Sequence, residues 1–368
     1  MQRAFWSGQA WGMTLGIRPS SHFAEVFSWS PEARFNAGRI ALSLLAMAVP
    51  VVVGTWAGRP AMGYVVGLGA MLLAGEQGER SAGHHGGLAA SLVPVVLAIA
   101  AASAVARVPF ADVLMVALAV PAATLVNYSR PAAVAGIRFI VFLVLNMGLV
   151  GAHGAHGRGA ALLFGVGAAW RVVLRAVAHL RRPRADALVT AAATKPEPTH
   201  RQRRSHLRRM LHTLQGWQYA LRLAFGLAAA CLLRDLWPQH HFDWMVLSIV
   251  LLTPRALEHF PVHITQRAIG TLLGVAMAGT IMWCAPGHVA SAVLVCLLGA
   301  AAPLVRPGNY AAYCVLATPL ILLAMDAGAT IEPAFLVDRL IATLAGCAVV
   351  LVANGLMDVA LRTVGERA

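Results

Sequence analysis

Charge is what this sequence lacks. Only 12% of its 368 residues are Asp, Glu, Lys or Arg, where a soluble chain carries about a quarter. Acidic residues are the scarcer sign, 15 against 29 basic ones. An ordinary water-soluble protein is thereby excluded, and so is a disordered one, whose composition is polar. Cysteine is also sparse: Cys231, Cys284, Cys296, Cys314 and Cys347, all in the second half, with no C-x-x-C spacing. They read as buried thiols rather than disulfides or metal ligands. Residues 1–30 lack the apolar run and small-residue site of a cleavable signal. No G-x-x-x-x-G-K-[ST] or G-x-S-x-G occurs. Neither an ATP-driven step nor a serine nucleophile is encoded, so the chain is not read as an enzyme and no cofactor is expected.

What is present is apolar. Hydrophobic residues make up 59% and the mean hydropathy is +0.70. A bilayer-spanning helix needs about 20 mainly apolar residues, and twelve runs approach that length. Six lie near 36–57, 61–77, 86–106, 110–127, 132–151 and 158–178. Six more lie near 217–236, 241–254, 265–284, 288–305, 309–326 and 334–357. The expected fold is an all-α membrane protein of about twelve transmembrane helices in two six-helix repeats. Residues 1–35 read as a cytoplasmic N-terminal segment, 36–178 as the first repeat, 179–216 as a basic cytoplasmic linker and 217–362 as the second repeat.

The linker sets the orientation. Arg181–Arg209 holds nine of the basic residues against Asp186 and Glu197. Basic connections stay in the cytoplasm, so both termini are expected there, in a bacterial inner membrane. The net charge of +14 then reflects topology and anionic headgroups. Nucleic acid is not expected, because no aromatic residues interleave the basic ones. Residues around Lys195-Pro-Glu-Pro198 read as a break, and the remainder as a basic surface helix.

The halves resemble each other. Arg80-x-x-Gly83-x-x-x-Gly87 matches Arg267-x-x-Gly270-x-x-x-Gly274, each opening a third span. An aromatic, Tyr64 or Trp244, opens the span before it. Asn127-Tyr128 and Asn309-Tyr310 precede or open the fifth spans, and Arg39 and Arg222 open the first. Parallel repeats of this kind are a common transporter plan.

The segment Arg267-Ala-Ile-Gly-Thr-Leu-Leu-Gly274, with Phe242–Pro254 before it, resembles the fusaric acid resistance (FUSC) and aromatic acid exporter superfamily. The likeness is best over 217–357 and degenerate over 36–178. It implies six-helix units, often doubled, and export of small aromatic or other organic acids across the bacterial inner membrane. Relatives in plants are organic-anion channels that work as dimers. Many bacterial members carry a large cytoplasmic domain, where this chain has only its short basic linker.

Arg80, Arg267, Arg39 and Arg222 are the expected substrate-binding residues, because a guanidinium in a cavity binds a carboxylate bidentately. Arg138 lies within the fifth span. Glu76 and Glu258, in corresponding places beside the two motifs, are the expected proton-coupling groups, with His84 as a further one. Gly83 and Gly87, and Gly270 and Gly274, are four apart on one helix face and read as sites of close helix packing. Gly63 and Gly67 repeat that spacing. His259-x-x-x-His263 has a zinc-like spacing, but Pro261 interrupts it and no metal site is expected.

The reading is a proton-driven secondary exporter of small, aromatic organic acids, with its cavity at the cytoplasmic half near the third-span starts. A passive anion channel, or an accessory scaffold of an envelope efflux complex, remains open. Expected partners are the anion, a bilayer with anionic headgroups, a second copy in a homodimer and a periplasmic adaptor protein.

Overall fold

The computed structural model describes residues 24–30, 36–74, 91–180, 198–240, 242–255, 260–284, 286–325 and 333–365. Among these, ordered backbone is helical and no strand occurs. The first half holds α1 (Ala37–Trp56), α2 (Pro60–Ala74), α3 (Val93–Val105), α4 (Ala111–Thr124) and α5 (Arg130–Leu180). The linker contributes α6 (His200–Leu211). The second half holds α7 (Leu214–Leu236), α8 (Asp243–Leu252), α9 (Phe260–Trp283), α10 (His288–Val305), α11 (Tyr310–Met325) and α12 (Pro333–Thr363).

A helix lies on each of the twelve apolar runs. Five stretches are long and apolar enough to cross a membrane: Ala37–Trp56, Arg130–Val150, His156–Ala178, His288–Val305 and Ala334–Thr363. Five more helices are apolar but shorter, among them Asp243–Leu252 and Tyr310–Ala324. Such helices form because every backbone group is bonded within the segment, the condition hydrocarbon imposes.

The helix α5 runs unbroken for 51 residues, yet it is not straight. A Cβ on Gly157 would touch the backbone of Leu149 and Val150. In a straight helix, eight residues separate positions by about 12 Å. The axis therefore folds back between Val150 and His156, and its two limbs are separate apolar stretches.

Caps mark the starts of several helices. Asn36 accepts from the Gly38 N–H at 2.8 Å to open α1. Thr199 and Gln202 form a reciprocal capping box on α6, which satisfies two of the donors a helix start leaves free. The α6 helix carries Arg201, Arg203, Arg204, Arg208 and Arg209 and buries no residue.

Contacts place the helix ends at two levels. At the linker end, the Asn127 amide donates to the Gly216 carbonyl at 2.8 Å and Arg255 donates to the Val126 carbonyl at 3.2 Å. Asn309 donates to the Val26 and Ser28 carbonyls, both at 3.0 Å. At the opposite end, Arg234 pairs with Asp112, and His240 lies 2.8 Å from Asp338. Gly279 near the end of α9 faces Leu336 at the start of α12, so α9 ends at that level too. Between α1 and α10, Ser43 donates to the Ala300 carbonyl and Met47 packs on Gly299. These helices are antiparallel, so Trp56 and Trp283 also share that level. Trp56 (90% exposed), Trp283 (88%), Phe110 and Trp237 form its exposed aromatic ring, the pattern of a membrane interface.

Helix neighbours correspond between halves. In the first, α1 packs on α2, and the second limb of α5 touches α1, α2 and α3 through Arg171, Phe164 and Gly165. In the second, α7 packs on α8, and α12 touches α7, α8 and α9. Across the halves, α1 packs on α10 as α4 packs on α7, and α2 touches α11 as α5 touches α8.

Candidate functional site

The helix α8 is only 10 residues long and buried all round, including Met245, Ser248 and Ile249. At about 1.5 Å per residue it covers some 15 Å, half a hydrocarbon core. It ends at Thr253-Pro254, where proline removes a donor. Just past that end, the backbone carbonyl of Pro254 is met by Arg222. That side chain is 2% exposed. It donates to the Pro254 carbonyl at 2.8 Å, to Asn354 Oδ1 on α12 and to the Gln218 carbonyl at 3.1 Å. The structure thus places Arg222 in a cradle of protein acceptors at the linker end.

Arg267 sits differently. It is 5% exposed, on α9. One terminal nitrogen donates to the Tyr310 hydroxyl of α11 at 3.0 Å, the other to the Ser248 hydroxyl of α8 at 3.2 Å. Its Nε is buried with no partner. Arg339 of α12 is 3% exposed, and its guanidinium carbon lies 3.8 Å from the Trp244 ring centre. Its Nε and Nη1 are buried with no partner. Trp244 and Ser248 are one turn apart on α8, so the two cations occupy successive levels, separated along the axis by about 6 Å. Neither meets a carboxylate among the described residues.

Aromatic rings extend this pair towards the linker end. Tyr310 stacks on Tyr313 at 5.7 Å, and the Arg306 guanidinium lies 5.2 Å from the Tyr313 ring. His263 is 5.8 Å from Tyr310. On the other side, Phe335 meets Trp244 edge-on at 6.5 Å. The result is a chain of contacts (the arginine column), Arg306–Tyr313–Tyr310–Arg267, with Trp244–Arg339 beside it on the aromatic-ring side. A buried cation costs about 2.5–3.5 kcal/mol at the bilayer centre. The unbonded nitrogens of these cations are donors of the charge-assisted kind that an anion accepts from, and the rings beside them offer stacking faces.

The close approach that builds the site is glycine's. A Cβ on Gly270 would lie 2.6 Å from the Ala311 carbonyl oxygen and from Cys314 Cβ. One on Gly274 would lie 2.7 Å from Thr318 Cβ. These two glycines let α9 press against α11 and bring Arg267 to Tyr310. Gly63, over the Pro50 carbonyl, and Gly67, on Met47, do the same for α2 against α1.

Of the other expected residues, Arg39 is half-buried in the first turn of α1 and is not among the contacts that build this column. Arg138 is buried in α5. Arg80, Glu76, His84, Gly83, Gly87, Glu258 and His259 lie outside the described residues. Sequence reasoning missed Arg339. Its one signal is an arginine following Asp338 inside an otherwise apolar helix. The partnership of Trp244 with it was equally hidden, since 95 positions separate them.

A cavity of about 320 Å³ opens at the opposite end from the linker, between the halves. Asp112, Met115, Met147, Arg234, Asp243 and Val246 line it. It borders α8 on the side away from the arginine column. Arg234 there is shared by Asp112, Asp235 at 3.7 Å and Asp243 at 3.3 Å.

No curated protein and no solved structure matches the chain. A family model does match, described as fusaric acid resistance protein-like, over residues 227–353. That stretch runs from α7 into α12 and contains Trp244, Ser248, Arg267, Tyr310 and Arg339. Over that stretch, about a third of the chain, the protein is similar to the fusaric acid resistance protein-like family.

Proposed function

We propose that this protein exports small aromatic acids by proton-driven secondary transport, and that Arg267 and Arg339 hold the anion in passage. The observation that carries this is the pair of buried guanidiniums with unbonded nitrogens, neither of them in an ion pair with a carboxylate among the described residues. Trp244, Tyr310 and Tyr313 suit an aromatic cargo, and Ser248 and Tyr310 keep Arg267 aimed. Arg222 serves the frame in this reading, tying the chain just past α8 to α12. The site falls within the second half and near mid-depth of the column, deeper than the third-span starts.

The proposed frame is two six-helix units in one orientation, twelve spans in all. The matching helix neighbours of the two halves support it. So do the two Asn-Tyr pairs. Asn309 fastens the segment leading into α1, and Asn127 fastens the start of α7, each in the opposite half. The proposed orientation puts the linker end in the cytoplasm of a bacterial inner membrane. Arg130, the arginines of α6, Arg255, Arg306 and Arg362 lie at that end, against Arg59, Arg107, Arg158 and Arg234 at the other.

The test is accumulation in inside-out vesicles of a panel of aromatic and aliphatic carboxylates, with and without an imposed proton gradient. Gradient-dependent accumulation of aromatic acids, abolished by a protonophore, is expected. Flux only down the anion's own gradient would make the protein a channel, and no flux for any acid would overturn the reading.

A further inference from the structure

Just beyond Arg339, towards the aromatic ring, lies a titratable pair that the anion site does not use. His240 Nδ1 is 2.8 Å from Asp338 Oδ1. Asp338 is nearly buried, while His240 is more than a third exposed at the turn between α7 and α8. The turn is tight: the His240 N–H donates to the Trp237 carbonyl and the Phe242 N–H to the His240 carbonyl. His240 also stacks on Phe242 at 5.4 Å. Consecutive residues of α12 therefore grip consecutive parts of one short stretch. Asp338 holds His240, and Arg339 lies on Trp244.

We propose that the His240–Asp338 pair is a proton-responsive clasp that sets how firmly Arg339 is held in the anion site. This rests on the proposed transport reading for its role, but not for its mechanism. Imidazole is the side chain that ordinarily changes charge between pH 5 and 8. Protonated, His240 faces Asp338 as a charge-assisted pair, the stronger kind of hydrogen bond. Neutral, it keeps at most a single hydrogen bond without a cation, and the start of α12 is held less firmly. Protons reach His240 from the aromatic-ring side. Among the described residues, the charged groups at this end of the elements that meet at this turn are Arg234 and Asp235 at the end of α7, Asp243 at the start of α8, and Asp338 and Arg339 on α12, Asp338 having a further interaction besides His240. Arg234 is engaged by Asp112, Asp235 and Asp243, so its charge is largely spent there. Acid on the outer side thus tightens the clasp, and neutral pH loosens it.

The test needs no identified cargo. In purified protein, the emission of Trp244 (wild type minus Trp244→Phe) is followed from pH 5 to 8. Amide hydrogen exchange over residues 334–342, corrected for intrinsic rates, reads the same clasp without touching Trp244. Wild type is expected to show a pH-dependent Trp244 signal and slower exchange at low pH. His240→Gln, at a half-exposed position, and Asp338→Asn are expected to lose both dependences. Signals independent of pH in wild type, or equally dependent in His240→Gln, would overturn the clasp. In vesicles, wild-type accumulation is expected to follow outer pH and the His240→Gln rate to lose that dependence. If wild type accumulates no acid, the transport reading falls, while the two spectroscopic measurements still decide the clasp.

Discussion

Replacing Gly270 by Ala perturbs both the packing and the chemistry of the arginine column. The new Cβ would lie 2.6 Å from Cys314 Cβ and from the Ala311 carbonyl oxygen. Carbon atoms pack at about 3.5–4.0 Å, so α9 and α11 must separate by about 1 Å. Overpacking of this kind costs about 1–3 kcal/mol. The same shift stretches the 3.0 Å bond from Arg267 to Tyr310 to about 4 Å, beyond hydrogen-bond range. A hydrogen bond from a charged donor contributes about 1.5–3 kcal/mol. The expected loss is therefore about 2.5–6 kcal/mol. Gly279→Ala is the control on the same helix, because its Cβ would meet only Leu336 Cδ1 at an ordinary 3.7 Å. Thermal unfolding of detergent-solubilised protein, followed by size-exclusion of the surviving monodisperse fraction, reads the difference. Gly270→Ala is expected to unfold well below wild type and Gly279→Ala close to it. Equal stabilities for the two variants would refute the close-packing geometry.

Three further outcomes follow from the same contacts. Arg222→Ala leaves the Pro254 and Asn354 oxygens unpaired in the interior; at about 1–3 kcal/mol per stranded group, it should lose folded yield on size-exclusion, with the folded remainder unchanged in anion affinity. Asn309→Ala removes the bonds to Val26 and Ser28, and hydrogen exchange over 24–30 should rise while that over α7 does not. Arg234 and Asp112 are each about a third exposed, so Asp112→Ala should cost no more than about 1 kcal/mol, measured by chemical unfolding, and less in high salt.

The positions of the helices were legible because each apolar run is bounded by polar residues, glycine or proline. The reversal inside α5 was legible too, as two runs rather than one, because Gly151–Gly157 breaks the apolar pattern. The Gly270/Gly274 spacing told of close packing, and the structure names the partner, α11. Arg222 and Arg267 looked equivalent in the sequence, each an arginine near a span start. Their separation into frame and column depends on where α8 ends and which residues of α12 face it. Neither is a local property. Arg339 was hidden for the same reason: the stacking surface it uses belongs to α8, and only the folded bundle brings α12 beside it.

The central claim is that Arg267 and Arg339 together bind an anion, and equilibrium binding to purified protein tests it most directly. Radiolabelled benzoate and 4-hydroxybenzoate would be titrated against wild type, Arg267→Ala, Arg339→Ala and Gly279→Ala. Saturable binding is expected for wild type and Gly279→Ala, with affinity at least about tenfold weaker when either arginine is removed, the equivalent of one charged hydrogen bond. Saturable binding that survives unchanged in both arginine variants, or no saturable binding of either acid to wild type, would contradict the account.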